Sequence, residues 1–260
     1  MLGGIFGDIV GSVYEKPFHR AIEGFHLFHP NAKFTDDTVL SIATADALIN
    51  NKTFKEAYLD WGRKYPRAGF SKDFEYWLAC SNPEPYQSFG NGAAMRSGPV
   101  GWLSKSLEHC LELAKNSAIV THDHPEGIKG AQAVAAAVYM SRLNRSKQEI
   151  KDYIQSQFSF DLNRTLNQIS INYKFDMTSQ GSVPEAIICF LESTGTEDAI
   201  RKAVYLNGDT DTQACIAGGI AEAFYNDISP ELETNIYSFL TSEMTMLITH
   251  FRSKKSEPQT

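Results

Sequence analysis

The chain has 260 residues, a net charge of −7, 42% hydrophobic and 21% charged residues, the balance of an ordinary globular protein with length for one large domain or two small ones. The acidic surplus argues against a broad nucleic-acid footprint, which is normally basic, and no apolar run approaches the roughly 20 residues that span a bilayer. The start lacks the basic n-region of a signal peptide. Cys80, Cys110, Cys189 and Cys215 are widely spaced without a CxxC pair, so neither a zinc site nor a disulfide framework is expected, and a reducing cytoplasm is the simplest compartment.

The apolar spacing is helical almost throughout. Gly3, Gly7 and Gly11 recur every fourth residue and share one face of a first helix. A glycine face there predicts close packing of a buried helix, since the segment is too short and contains Asp8, against a membrane dimer. Glu15 is expected to end this helix. Thr35 to Thr38 open into Val39 to Ala45, a buried helix start. Capping-box patterns predict helices after Thr53 with Glu56, Ser146 with Glu149, and Ser182 with Glu185. The small residues from Gly130 to Ala137 suit a helix packed closely in the core. Gly208 to Thr212 open into Gln213 to Gly219. Finally Ser229 and Pro230 are an N-cap and first helical position, with Leu232, Ile236, Leu240, Leu247 and Phe251 at helical intervals behind them. Strand alternation is scarce and no repeat is present. The expectation is an all-α domain over residues 1–252, with a frayed polar tail over 253–260.

Two short clusters carry most of the functional information: Thr35-Asp36-Asp37-Thr38 and Gly208-Asp209-Thr210-Asp211-Thr212. Adjacent carboxylates repel, and their desolvation must be offset. Either cluster alone reads as an acidic helix cap. Two together are better explained by hard divalent cations, which prefer oxygen ligands. In an extended segment Asp209 and Asp211 would face one side, while Thr35 and Thr212 could add hydroxyl ligands. So many anionic groups suit a pair of cations.

Between them, Ser88-Phe89-Gly90-Asn91-Gly92-Ala93-Ala94-Met95-Arg96 forms a loop whose glycines and asparagine tolerate left-handed backbone. It is either a tight turn or a backbone cradle for phosphates. Thr121-His122-Asp123-His124-Pro125-Glu126 lacks zinc spacing. One of its histidines suits hydrogen bonding to substrate, and the other a structural role.

These stretches resemble the ADP-ribosylglycohydrolase family. The matches are Gly7-Asp8-Ile9-Val10-Gly11, Phe34 to Thr38, Gly90 to Arg96, Thr121-His122 and Gly208 to Thr212, in the family's order over nearly the whole chain. The resemblance implies a compact, single-domain, all-α orthogonal helical bundle with a dinuclear Mg²⁺ or Mn²⁺ centre, Mg²⁺ being the first expectation. It implies Thr35, Asp36, Asp37, Asp209, Asp211 and Thr212 as metal ligands. Ser88, Phe89, Gly90, Asn91 and Gly92 would hold the diphosphate and nearby ribose, and His122 would bind ADP-ribose. Glu15 resembles a glutamate that closes on the site. The implied reaction is hydrolysis of the bond joining the distal ribose C1 to an acceptor on a protein or small conjugate, reversing mono-ADP-ribosylation. Glu15 would handle the proton or activate water, with Asp36 as the alternative base. Acceptor choice would depend on a rim containing Glu15, Phe18 and Phe34. A monomer is the default, with no membrane or extended nucleic-acid partner. Asn207 stands where the family often has glycine, and its tolerance of positive φ predicts that the turn survives.

Two other functions compete. His122-Asp123, a later carboxylate and upstream histidines at 19, 26, 29 and 109 fit an all-α His-Asp phosphohydrolase, which leaves Thr35 to Thr38 and the Asn91 loop unexplained. A non-catalytic ADP-ribose-binding relative would keep the site and bind without turnover.

Overall fold

The computed structural model describes residues 1–15, 21, 22 and 24–255. Phe18, His19 and residues 256–260 of the expected tail lie outside the described residues. The described chain is helical, with a single isolated bridge, Gly90 to Thr178, in place of any sheet. Its elements in order are α1 (Leu2–Gly11), α2 (Asp36–Asn50), α3 (Phe54–Lys64), α4 (Lys72–Ala79), α5 (Gly92–Met95), α6 (Gly98–Leu103), α7 (Leu107–Ala118) and α8 (Pro125–Arg142). They continue with α9 (Lys147–Phe158), α10 (Leu166–Ser170), α11 (Ser179–Leu191), α12 (Thr196–Tyr205), α13 (Thr210–Tyr225), α14 (Pro230–Ser238) and α15 (Ser242–Lys255). None is long and apolar enough to cross a membrane.

All ten residues of α1 are buried, and its glycine face meets α13 directly. A Cβ added to Gly3 would stand 2.3 Å from the Gly218 carbonyl oxygen, and one on Gly7 would stand 2.0 Å from that of Ala214. Gly11 is equally crowded by Thr210 O at 2.4 Å. The two helices therefore touch backbone to backbone and run antiparallel, the end of α1 meeting the start of α13. Thr210 Oγ1 donates to Gly11 O at 2.9 Å and closes that corner. The small residues of α8 serve the same purpose deeper in the core, where that helix packs against α5, α6, α7, α11 and α13.

Local signals set most helix starts. The Thr53–Glu56 and Ser146–Glu149 capping boxes form, with both reciprocal hydrogen bonds, and Ser229 with Pro230 starts α14. Ser182 and Glu185 do not begin a helix. They lie inside α11, which Thr178 caps by accepting from Gly181 N. Ser182 Oγ instead donates back to Thr178 O, and Glu185 pairs with Arg164 at 2.7 Å. The final periodic run is likewise two helices, because Thr241 Oγ1 accepts from Met244 N and restarts the chain as α15. That helix extends through Lys255, three residues into the expected tail.

Replacing Gly7 by Ala should destabilise the protein by about 3 kcal/mol, since neither backbone can yield to the added methyl. Urea unfolding of Gly7→Ala beside an exposed control, Ser253→Ala, measures it.

Candidate active site

The starts of α2 and α13 converge on a cleft of about 630 Å³, within the size range of small-molecule sites. Glu15, Thr35, Asp36, Asp37, Ser88, Phe89, Gly90, Asn91, Gly92, His122, Asp209, Asp211 and Thr212 all line it. Residues from five separate stretches of sequence therefore meet in one place.

The Thr35 turn is built from below by Asp8, which belongs to the first matching stretch but has no role among the expected site residues. Its carboxylate is buried in α1 and accepts from the backbone N–H of Thr35 at 2.9 Å and of Thr38 at 3.1 Å. It also accepts from the hydroxyls of Thr35, at 2.6 Å, and of Thr38. A lone carboxylate in an otherwise apolar, fully buried helix requires donors from elsewhere in the chain, and that was the available signal.

The acidic residues do little capping. Thr35 Oγ1, not a carboxylate, accepts from Asp37 N at the start of α2. Asp209 occupies the N-cap of α13 and makes no side-chain cap bond. Asp209 and Asp211 sit in a helix start rather than an extended segment, yet they still come together with Glu15, ligand-capable oxygens of all three lying within 4.8 Å of one another. Asp8, Asp37 and Asp211 form a second such group. Asp37 Oδ1 is buried without any hydrogen-bond partner, while its Oδ2 accepts from Thr212 Oγ1 at 3.3 Å. Burial, then the neighbouring Asp211 and Asp8 charges, push both Asp36 and Asp37 well above the usual carboxylate range. Burial and Asp211 do the same to Asp209. Asp36 is half-buried, and Glu15 is exposed three residues past Ser12, the C-cap of α1, rather than at the helix end.

The glycine loop differs from its expected form. Gly90, Asn91 and Gly92 have no positive φ, and the left-handed residue is Gln87, at φ 54°, just before the loop. Gly92 instead lies close against His122, since a Cβ there would stand 3.1 Å from Nε2 and the ring would have to give by a few tenths of an ångström. Asn91 N is already committed to Met177 O at 2.9 Å, and its side chain donates to Asp209 at 2.7 Å and to Ser182 at 3.1 Å. The loop thus buttresses the second acidic cluster. His122 is buried beside Thr121, and His124 caps α8 by accepting from Glu126 N. Asp123 accepts from the backbone and side-chain amides of Gln87 and is absent from the cleft wall. Phe34 packs edge-on against Tyr65 and also does not line the cleft. Asn207 adopts φ 56°, so the turn before the second cluster keeps its left-handed residue, and its Oδ1 accepts from Ala21 N.

Replacing Asp8 by Ala would orphan two amides and two hydroxyls at once and should cost about 3 kcal/mol or more. Denaturant unfolding of Asp8→Ala tests this, with Ser41→Ala as a nearby control.

Comparison with known proteins identifies the family. The profile of the ADP-ribosylglycohydrolase family matches residues 1–234. Human ADP-ribosylhydrolase ARH3 is 25% identical, over 89% of this chain and 86% of the human protein. ADP-ribosylarginine hydrolase Tri1 of Pseudomonas putida is 23% identical, over 86% of this chain and 69% of that protein. A solved structure described as an ADP-ribosylglycohydrolase-related protein complex superposes with a TM-score of 0.71 at 21% identity, covering 98% of this chain and 97% of that one. The chain belongs to the ADP-ribosylglycohydrolase family, hydrolases of ADP-ribose conjugates.

Proposed function

We propose that this chain is a divalent-metal-dependent ADP-ribosylglycohydrolase that cleaves the distal ribose C1 from an acceptor on a protein or small conjugate, reversing mono-ADP-ribosylation. The observation that carries the reading is the acidic floor of buried Asp8, Asp37, Asp209 and Asp211, which form two overlapping groups sharing Asp211, the one with Asp209 completed by the exposed Glu15, and which leave Asp37 Oδ1 unsatisfied. Such a floor fits a pair of hard cations, Mg²⁺ or Mn²⁺, held by Thr35, Asp36, Asp37, Asp209, Asp211 and Thr212. Asp8, with four donors already on its oxygens, shapes the turn. When bound, the cations anchor and polarise the vicinal hydroxyls of the distal ribose.

The remaining work falls to the chain's own side chains. Ser88, Phe89, Gly90, Asn91 and Gly92 flank the diphosphate and nearby ribose, and His122 donates to an ADP-ribose oxygen. Cleavage at C1 develops oxocarbenium character, which nearby carboxylates stabilise. Glu15 stands at the mouth, on the wall between this cleft and a second cavity lined by Tyr14, Tyr173, Phe175 and Tyr205. From there it takes the proton of the attacking water as the hydroxyl bonds to C1 and the C1–acceptor bond breaks, and passes that proton to the acceptor, which leaves towards the second cavity. Asp36, half-buried on the floor, is the alternative base. A His-Asp phosphohydrolase finds no support in this geometry. Among the described residues the metal-capable groups contain no histidine, and Asp123 is engaged with Gln87.

Arginine-, serine- and DNA-linked ADP-ribose, incubated with Mg²⁺ or Mn²⁺, should yield free ADP-ribose from at least one linkage. Glu15→Gln should abolish that turnover while leaving ADP-ribose binding intact. ADP-ribose binding without release from any linkage would identify a non-catalytic binder. The floor makes a separate prediction through thermal melting. In EDTA, Asp37→Asn should melt higher than wild type because one of several repelling carboxylates is gone. Saturating Mg²⁺ at about a hundred times its Kd should add about 2.7 kcal/mol to wild type and little to the variant.

A further inference from the structure

We infer that Arg96 and Thr121 form a positioning relay that holds His122 in the tautomer with its proton on Nε2, presenting a fixed donor to the cleft. Arg96 is fully buried. Its guanidinium lies 4.1 Å from the Tyr58 ring centroid, and Nη2 donates to Ser117 O at 3.0 Å and to Thr121 Oγ1 at 2.8 Å. Thr121 Oγ1 is in turn 2.8 Å from His122 Nδ1. A guanidinium can only donate, so the threonine oxygen must accept from Arg96. Its single proton is then left for His122 Nδ1. The opposite arrangement would make Thr121 accept twice and strand its own proton in a dry site, because Thr121 is fully buried too. With Nδ1 accepting, Nε2 carries the ring hydrogen.

Two further observations agree. Burial first, and then the Arg96 charge, hold His122 well below its usual range, so the ring is neutral and one nitrogen must be bare. Nε2 faces the glycine loop, where a Cβ on Gly92 would lie 3.1 Å and one on Gly90 3.6 Å away. Neither residue supplies a side chain to cover the donor. Arg96 also leaves Nε and Nη1 buried without partners, an arrangement that stability alone does not favour. A rigid Nε2–H donor suits a phosphate or ribose oxygen. That choice of ligand rests on the proposed ADP-ribose reading, whereas the tautomer does not.

Long-range ¹H–¹⁵N correlation spectra of ¹⁵N-histidine-labelled protein test the relay, with His122 assigned through His122→Gln. Wild type and Thr121→Ser should both show a bare Nδ1 and a protonated Nε2. The near-isosteric Thr121→Val should show mixed tautomers, and its affinity for ADP-ribose, measured calorimetrically with Mg²⁺, should fall roughly tenfold. Thr121→Ser should stay near wild type. A protonated Nδ1 in wild type, or an unchanged spectrum in Thr121→Val, would overturn the relay. Failure of wild type to bind ADP-ribose alongside the expected spectra would uphold the relay and overturn the reading of the cleft.

Discussion

The site depends on the backbone contact between α1 and α13. With no side chains at Gly3, Gly7 and Gly11, the two helices approach until added Cβ atoms would overlap carbonyl oxygens. This places the start of α13 against the end of α1, and so Asp209 and Asp211 beside the helix that carries Asp8. Asp8 then gathers the Thr35–Thr38 turn through four hydrogen bonds. The two acidic clusters lie about 170 residues apart in sequence, and α1 positions both of them. A single methyl at Gly7 would therefore disturb the packing and the floor together.

Magnitudes separate the two roles open to the acidic clusters. A helix N-terminus favours a nearby anion by about 0.3–1 kcal/mol, and up to ~2 kcal/mol in buried geometry. Desolvating a carboxylate costs several kcal/mol even after relaxation. Asp37, Asp209 and Asp211 are all buried, Asp211 belonging to the carboxylate group of each of the other two, and their charges repel. Two helix termini offset only a fraction of that. The observed caps sharpen the comparison, because Thr35 does the capping at α2 and Asp209 makes no cap bond at α13. The carboxylates are surplus to local helix chemistry, which is the physical ground for the proposal that they hold cations.

Legibility in the sequence followed the range of the interaction. The helix starts at Thr53, Ser146 and Ser229 rest on contacts within a few residues, and they were readable. Ser182–Glu185 has the same pattern but lies inside a helix that Thr178 already caps, so a local rule lost to its context. The glycine face of α1 was visible as periodicity, although its partner was not. Asp8 escaped because its donors lie 27 and 30 residues away. The loop at Gly90–Gly92 lines the cleft, but without the positive φ its glycines tolerate; Gly92 instead lies close against His122. Arg96 and Thr121 fall within two of the matching stretches, but nothing local links them, because their significance lies in one hydroxyl shared between distant segments.

This distribution also bears on how one scaffold can serve several acceptors. Most floor residues are buried and mutually dependent: Asp8 holds Thr35, Asn91 holds Asp209, and Thr212 touches Asp37. Changing any of them strands a partner, so on the proposed reading the grip on the sugar resists variation. Glu15 is different. It is exposed beyond the end of α1, on the wall shared with an aromatic cavity that uses none of the floor carboxylates. Within that cavity Tyr173 is tied to the second acidic cluster, its hydroxyl accepting from Gln213 Nε2 and its ring packed on Gly208, whereas Phe175 and Tyr205 are exposed and free to vary. On the proposed reading, acceptor preference would rest on the side lined by Phe175 and Tyr205 and sugar recognition on the buried aspartates, with Glu15 lining both cavities.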